Sequence, residues 1–282
     1  MSSHKFTNFL SPAKLNLGLK IVGKRHDGYH LLKSVFCLID LYDRIEIQLT
    51  DNGKISLIEH NQAWFYQKDL AYRAAVLLQE HTGKITEGAN IRIKKIIPSS
   101  AGLGGGSSNA AAVLIILNQL WDTGLTTEEL CQLGVKLGAD VPFFITGKSA
   151  LVSGIGEIIE PIELPELHFV IIKPEFHAST KQIFESLCLD MNQINATQYS
   201  VDYLIKSREN DLEKVIKKLF PESNLIFSEL QQYGTPALTG SGSCIYLTYT
   251  DKNSAKKVAN ILSPRYNTYL AASIPESPVV CN

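Results

Sequence analysis

Between residues 97 and 110 the chain reads Ile-Pro-Ser-Ser-Ala-Gly-Leu-Gly-Gly-Gly-Ser-Ser-Asn-Ala. Pro98, Ser99, Ser100, Ala101, Gly102, Leu103, Gly104, Gly105, Gly106, Ser107 and Ser108 form a main chain with few side chains to hold a ligand away. Glycine adopts positive φ cheaply, and its missing Cβ lets a ligand touch the backbone. A run of helix formers, Ala110 to Trp121, follows, and Ser107 and Ser108 stand where an N-cap is expected. A helix N-terminus offers unpaired N–H groups and the positive end of a dipole. A glycine-rich loop feeding one suits an anion, most often a phosphate. Two familiar phosphate loops do not fit. Gly147-Lys148-Ser149 resembles the tail of a Walker A motif, but Pro142 occupies its first glycine. The dinucleotide fingerprint fails because Ser107 replaces its third glycine, and no acidic ribose ligand follows about 20 residues later. A mobile linker, the other reading, does not run straight into a long apolar helix.

Other chemistry-bearing residues are scattered. Lys14 and Asn16 are two apart on an alternating segment, so both can reach one site or both can face solvent. Asp140 is the lone acid beside the apolar segment Val141 to Ile145, either capped by backbone donors or held for chemistry. Lys94 and Lys95 lie just before the glycine loop, within reach of a phosphate or nucleotide. Tyr29-His30 offers an aromatic face beside a hydrogen-bonding ring, suited to a flat heterocycle. His26 and His30 have metal-ligand spacing only on a helix, which Gly28 opposes.

The elements that must position these residues follow from pattern. Lys14 to Ile21 alternates as a half-buried strand, with Leu15, Leu17, Leu19 and Ile21 facing one way. Gly23 to His30 is a loop, and Arg44 to Leu49 a strand. Asp69 caps a helix that Gly83 stops. Ile91, Ile93 and the pair Ile96-Ile97 form the strand delivering the glycine loop, and Thr126-x-x-Glu129 is a capping box. Residues 158–165, with two prolines, form a boundary between domains at 1–160 and 161–282. Beyond it come a buried strand at His168 to Lys173, a helix carrying Phe184, helices near 211–220 and 223–233, and a second small-residue loop, Leu238-Thr239-Gly240-Ser241-Gly242. Strands and helices intermix without a βαβ repeat, so the expected class is α+β.

Composition excludes several functions. With 282 residues there is ample length for two domains. A net charge of −1 gives no electrostatic case for nucleic acid or an anionic membrane. The five cysteines are dispersed without a C-x-x-C pair, which argues against a disulfide framework or zinc site and for a reducing compartment. The N-terminal residues lack the apolar core of a signal peptide, and no apolar run approaches the roughly 20 residues of a membrane span, so a cytoplasmic protein is expected.

Three blocks stand in order: Pro12-Ala13-Lys14-Leu15-Asn16-Leu17, the glycine loop, and Leu238-Thr239-Gly240-Ser241-Gly242. In this the chain resembles the GHMP kinase superfamily. The extra Gly105 and Gly106, with Asp27-Gly28-Tyr29-His30 and Gly138-Ala139-Asp140-Val141-Pro142, resemble the branch acting on a CDP-linked methylerythritol. The resemblance covers nearly the whole chain. It implies a two-domain fold, the N-terminal part like domain 2 of ribosomal protein S5 and the C-terminal part ferredoxin-like. The implied reaction is ATP-dependent phosphorylation of the 2-hydroxyl of 4-diphosphocytidyl-2-C-methyl-D-erythritol, in non-mevalonate isoprenoid precursor biosynthesis. It further implies Asp140 as base and Lys14 as its charged neighbour, with Asn16 supporting the substrate. Tyr29 and Phe184 would sandwich cytosine and His30 would read its polar edge. Residues 98–108 would wrap the ATP phosphates, with Lys95, Asp69 and Leu70 near the nucleotide. Mg²⁺ is implied with ATP, held by phosphates, water and Ser107 or Ser108, with no dedicated protein metal site. A monomer or weak homodimer is expected. The family usually has asparagine where this chain has Asp69, which accepts hydrogen bonds but cannot donate.

Overall fold

The computed structural model describes residues 5–58, 66–187 and 199–280. Two long antiparallel strands, β1 (Thr7–Lys24) and β2 (His30–Thr50), open the chain. The sheet continues through β3 (Ile55–Leu57), β4 (Gly88–Lys94), β5 (Ala150–Gly154) and β6 (Ile158–Pro161), in the order β3-β4-β2-β5-β6 with β1 paired to β2. Helices α1 (Leu70–Thr82), α2 (Gly105–Leu120), α3 (Thr127–Val135) and α4 (Val141–Thr146) accompany it. A second, antiparallel sheet runs β10-β7-β9-β8: β7 is His168–Lys173, β8 Ala237–Leu238, β9 Ile245–Tyr249 and β10 Asn267–Ala272. With it come α5 (Thr180–Glu185), α6 (Val201–Ser207), α7 (Glu213–Leu219), α8 (Glu222–Leu230) and α9 (Lys252–Leu262). Helix and strand are thus mixed as α+β. No described helix is long and apolar enough to cross a membrane. Residues 158–161, at the start of the stretch expected to hold the boundary between domains, form β6 and pair with β5.

The first strand departs most from its pattern. Alternation predicts one buried face, yet residues 11–21 are all buried, because β1 runs between two apolar clusters. Leu15 and Leu17 pack with Phe169 and Tyr246, whereas Leu19 and Ile21 pack with Leu38 and Ile45. The register with β2 slips between Asn16 and Leu19, a bulge that moves Leu19 and Ile21 to the other cluster. Gly18 sits there at φ +125°, and a Cβ would lie 2.7 Å from the carbonyl oxygen of Leu204. Lys20 therefore does not join Lys14 and Asn16. It pairs with Glu209 at 2.5 Å and Asp211 at 3.0 Å. Burial works against its charge, but these carboxylates win and raise its pKa. The loop expected from 23 to 30 is also shorter, since β1 reaches Lys24 and β2 starts at His30.

Helix α2 is buried around almost its whole circumference, as a central helix should be. Its start corrects the expectation for Ser107 and Ser108. The N-cap is Gly104, at φ +71° with no side-chain cap bond, and both serines lie inside the first turn. Ser108 shares a hydrogen bond with the Ser11 hydroxyl at 2.6 Å. With no capping oxygen, the first N–H groups of α2 stay available to an anion. Asp69 caps α1 as expected, accepting from the Ala71 N–H at 2.8 Å, and the Thr126–Glu129 capping box forms.

Candidate active site

The glycine loop, the start of α2, β1, the 139–140 turn and the loops around 177–180 and 240–242 enclose a cleft of about 970 Å³. Lys14, Asn16, Asp69, Leu70, Lys95 and Asp140 line it, as do Pro98, Ser99, Ser100, Ala101, Gly102, Gly104, Gly105, Gly106, Ser107 and Phe184. Leu103 and Ser108 do not. Leu103 is buried and accepts the Lys14 backbone N–H at 3.0 Å, fastening the loop to β1.

Lys14 is 3% exposed and its Nζ is 3.7 Å from Asp140 Oδ2. It donates to Asn16 Oδ1 at 2.5 Å and lies 4.4 Å from the Phe36 ring centroid. Burial pulls its pKa below the ordinary lysine value, and Asp140 pulls the other way. Asn16 is fixed in turn, donating from Nδ2 to Ser34 Oγ at 2.9 Å. Asp140 occupies the N-cap position of α4 but makes no side-chain cap bond there. Of its two readings, capping and chemistry, the first is thereby unsupported. Its carboxylate, about one-third exposed, faces Lys14 in the cleft.

At the other end, Lys95 is ion-paired with the fully buried Asp43. Asp43 also accepts the N–H groups of Ile96 at 2.7 Å and Ile97 at 2.8 Å, anchoring the approach to the glycine loop. Sequence reading missed Asp43. Its one signal was an acid within the long β2 pattern, indistinguishable there from an exposed one. His177, Ser179, Thr180 and Asn109 also line the cleft and were not foreseen.

The aromatic group differs from expectation. Phe184 lines the cleft, but His30 packs against it, ring centroids 5.6 Å apart and 30° between planes. Burial, then the charge of Lys24, lower the His30 pKa, so its imidazole is neutral at neutral pH. Tyr29 is 61% exposed and is not among the residues lining the cleft.

The glycines divide by what surrounds them. A Cβ on Gly102 would meet the Thr239 carbonyl oxygen at 2.2 Å, one on Gly104 the Phe144 ring at 2.8 Å, and one on Gly105 the Ile97 side chain at 2.9 Å. Gly106 alone among these four has ordinary room, with Leu70 Cδ1 at 3.6 Å. Chemically, the cleft combines an uncapped helix start, suited to an anion, with a carboxylate–ammonium pair, groups of the kind needed to move a phosphoryl unit onto a hydroxyl.

Comparison with known proteins agrees. Residues 69–148 match the model of GHMP kinases N terminal domain, and residues 192–268 that of GHMP kinases C terminal. The 4-diphosphocytidyl-2-C-methyl-D-erythritol kinase of Chromobacterium violaceum is 42% identical over 280 residues, 98% of each chain. That of Neisseria meningitidis serogroup A is 43% identical over 272 residues, 96% of each chain. A crystal structure of 4-(cytidine 5'-diphospho)-2C-methyl-D-erythritol kinase superposes with a TM-score of 0.81 at 32% identity, covering 95% of this chain and 99% of that one. The homoserine kinase of Cytophaga hutchinsonii, at 18% identity and a TM-score of 0.70, shares the fold. By full-length similarity to these relatives, the chain belongs to the GHMP kinase family.

Proposed function

We propose that this chain uses ATP to phosphorylate the 2-hydroxyl of 4-diphosphocytidyl-2-C-methyl-D-erythritol, a step toward isoprenoid precursors. The observation that carries the reading is the Lys14–Asp140 pair at 3.7 Å, in one cleft with an uncapped helix start. Asp140 accepts the hydroxyl proton as that oxygen bonds to the γ-phosphorus and the bond to the β,γ-bridging oxygen breaks, releasing ADP. Lys14 orients Asp140 and offsets charge between the oxygens. N–H groups at the start of α2 meet charge on the transferring group. The donor set fits Mg²⁺ carried mainly by phosphates and water: of the two cleft carboxylates, Asp69 is engaged in capping α1, which leaves Asp140 and the Ser107 hydroxyl. The described residues hold no cluster of three metal-ligating side chains. When bound, Mg²⁺ neutralises charge on the β- and γ-phosphates. A cytoplasmic location is part of the same reading, and among the described residues Cys37, Cys131 and Cys244 are thiols outside any disulfide.

A coupled ADP-release assay tests the reading. Turnover should be at least 100-fold higher with the CDP-linked erythritol than with mevalonate, homoserine or galactose. Equal turnover with one of the latter would displace this reading.

Two variants probe the subsites. Gly106→Val has room for its Cβ in the protein, unlike Gly104→Val or Gly105→Val, which collide with Phe144 or Ile97. It should weaken ATP at least tenfold in calorimetry while the melting temperature stays close to wild type. Unaltered ATP affinity would remove the α2 N-terminus from phosphate binding. Phe184→Ala should weaken the CDP-linked substrate by about 1–3 kcal/mol, the usual worth of base–aromatic stacking. ATP affinity should not move. An unchanged KM for the CDP substrate would place the base away from Phe184.

A further inference from the structure

Phosphoryl transfer requires the nucleotide loop and the acceptor side of the cleft to be held in register, and here one hydroxyl from the C-terminal half touches both. Asn16 donates its backbone N–H to Thr239 Oγ1 at 3.0 Å. The Thr239 hydroxyl carries one proton and has two acceptors in reach. One is the Gly102 carbonyl of the glycine loop at 3.2 Å, the other Asn16 Oδ1 at 3.4 Å. Asn16 Oδ1 is also the atom that accepts from Lys14 Nζ. A second C-terminal hydroxyl completes the clamp. Tyr246, wholly buried, donates to the Asn16 carbonyl at 2.8 Å. The main chain follows the same route, since Cys244 donates its N–H to the Ala101 carbonyl at 3.2 Å. Packing leaves little slack. A Cβ on Gly102 would fall 2.2 Å from the Thr239 carbonyl oxygen, and one on Gly240 would fall 3.3 Å from both Asn16 Oδ1 and Gly102 Cα.

We propose that Thr239, supported by Tyr246, is a positioning residue that sets Asn16, and through it the Lys14 ammonium, against the Gly102 side of the phosphate loop. The proposal rests on the kinase reading above. Neither Thr239 nor Tyr246 is among the residues lining the cleft. Their role is to keep the base pair and the phosphate loop in register, and misplacement of reacting groups by about 1 Å is enough to cost about 100-fold in rate. Thr239 and Asn16 are 223 positions apart in the chain, so the clamp makes the catalytic geometry of the N-terminal half depend on the C-terminal one.

The test compares Thr239→Val, which keeps the branched shape without the hydroxyl, with Thr239→Ser, which keeps the hydroxyl, and with Tyr246→Phe. Each is measured for kcat, for dissociation constants of ATP and the CDP-linked substrate by calorimetry, and for melting temperature. Thr239→Val should lose about 10- to 100-fold in kcat while both dissociation constants move less than threefold. Thr239→Ser should recover to within about threefold of wild type. Tyr246→Phe should lose less, and the double variant should lose less than the product of the single losses. Wild-type kcat in folded Thr239→Val, or a loss confined to affinity or melting temperature, would overturn the proposal. Should Thr239→Val fail to fold, the recovery in Thr239→Ser together with a kcat-only loss in Tyr246→Phe decides it. Failure of the kinase reading would look different, because wild-type protein would then not turn over the CDP-linked substrate. In that event the Asn16 amide resonance should still shift in Thr239→Val and return in Thr239→Ser.

Discussion

Asp140→Asn is expected to lower kcat by about 10²–10⁴-fold, the usual worth of general-base assistance, with both substrates still bound. The amide keeps the size of the carboxylate and its place facing Lys14, but it cannot usefully take the hydroxyl proton. Three observations make the prediction sharp. The side chain makes no cap bond to α4, so its replacement removes no helix cap. It is about one-third exposed, so the neutral amide is not left stranded in an apolar interior. Its charged partner, Lys14, keeps the Asn16 acceptor at 2.5 Å after the change. Calorimetric affinities should therefore stay near wild type while the rate collapses, and the melting temperature should fall only by what the buried Lys14 ammonium loses with the attraction of Asp140. Near-normal turnover in the folded variant would remove Asp140 from the chemistry.

Lys14→Met is expected to abolish most turnover and yet to raise the melting temperature at neutral pH. The ammonium is almost entirely buried, and desolvation outweighs the attraction of Asp140, which is why the pKa falls. A group whose charged form is disfavoured by folding costs stability wherever it is charged in both states. Methionine fills similar volume above Phe36 without that cost, and water can solvate the partly exposed Asp140 left behind. Each kcal/mol relieved should appear as a rise of about 2–4 °C in a protein of this size. The sign of the pH dependence follows. Between the lowered folded pKa and the unfolded value of 10.5, the unfolded chain holds a proton that the native state has lost, so wild-type stability gains there as pH rises. The advantage of Lys14→Met should accordingly be largest near neutrality and shrink on the alkaline side. Wild-type kcat should fall within that same window as Lys14 loses its proton. A lower melting temperature for Lys14→Met across the whole range would show that the pair, not the desolvation, dominates.

What could be read from the sequence divides along physical lines. The glycine loop, the Asp69 cap and the Thr126–Glu129 box are local. Their backbone demands are met by neighbours within a few positions, so residue type alone points to them. Lys14 and Asp140 could be singled out because a cation on a strand and an acid beside an apolar run are each unusual alone. That they meet depends on the fold. The β1 bulge escaped because alternation assumes an uninterrupted pleat. Gly18 breaks that pleat to clear the Leu204 carbonyl, a contact set by α6 far along the chain. Asp43, Tyr246 and the role of Thr239 within its small-residue block escaped for the same reason, since their partners lie dozens to hundreds of positions away. Ser107 and Ser108 misled as caps because a glycine at φ +71° starts a helix without any side-chain oxygen. An anion site benefits from leaving those donors open.

The kinase assignment is tested most directly by incubating the protein with ATP and 4-diphosphocytidyl-2-C-methyl-D-erythritol and locating the transferred phosphorus by two-dimensional ³¹P–¹³C NMR. Stoichiometric ADP and a new phosphomonoester coupled to carbon 2 of the erythritol unit are expected, formed by wild type and lost in Asp140→Asn. ATP cleavage without a new phosphoester, a phosphate on a different carbon, or undiminished product from Asp140→Asn would contradict the assignment.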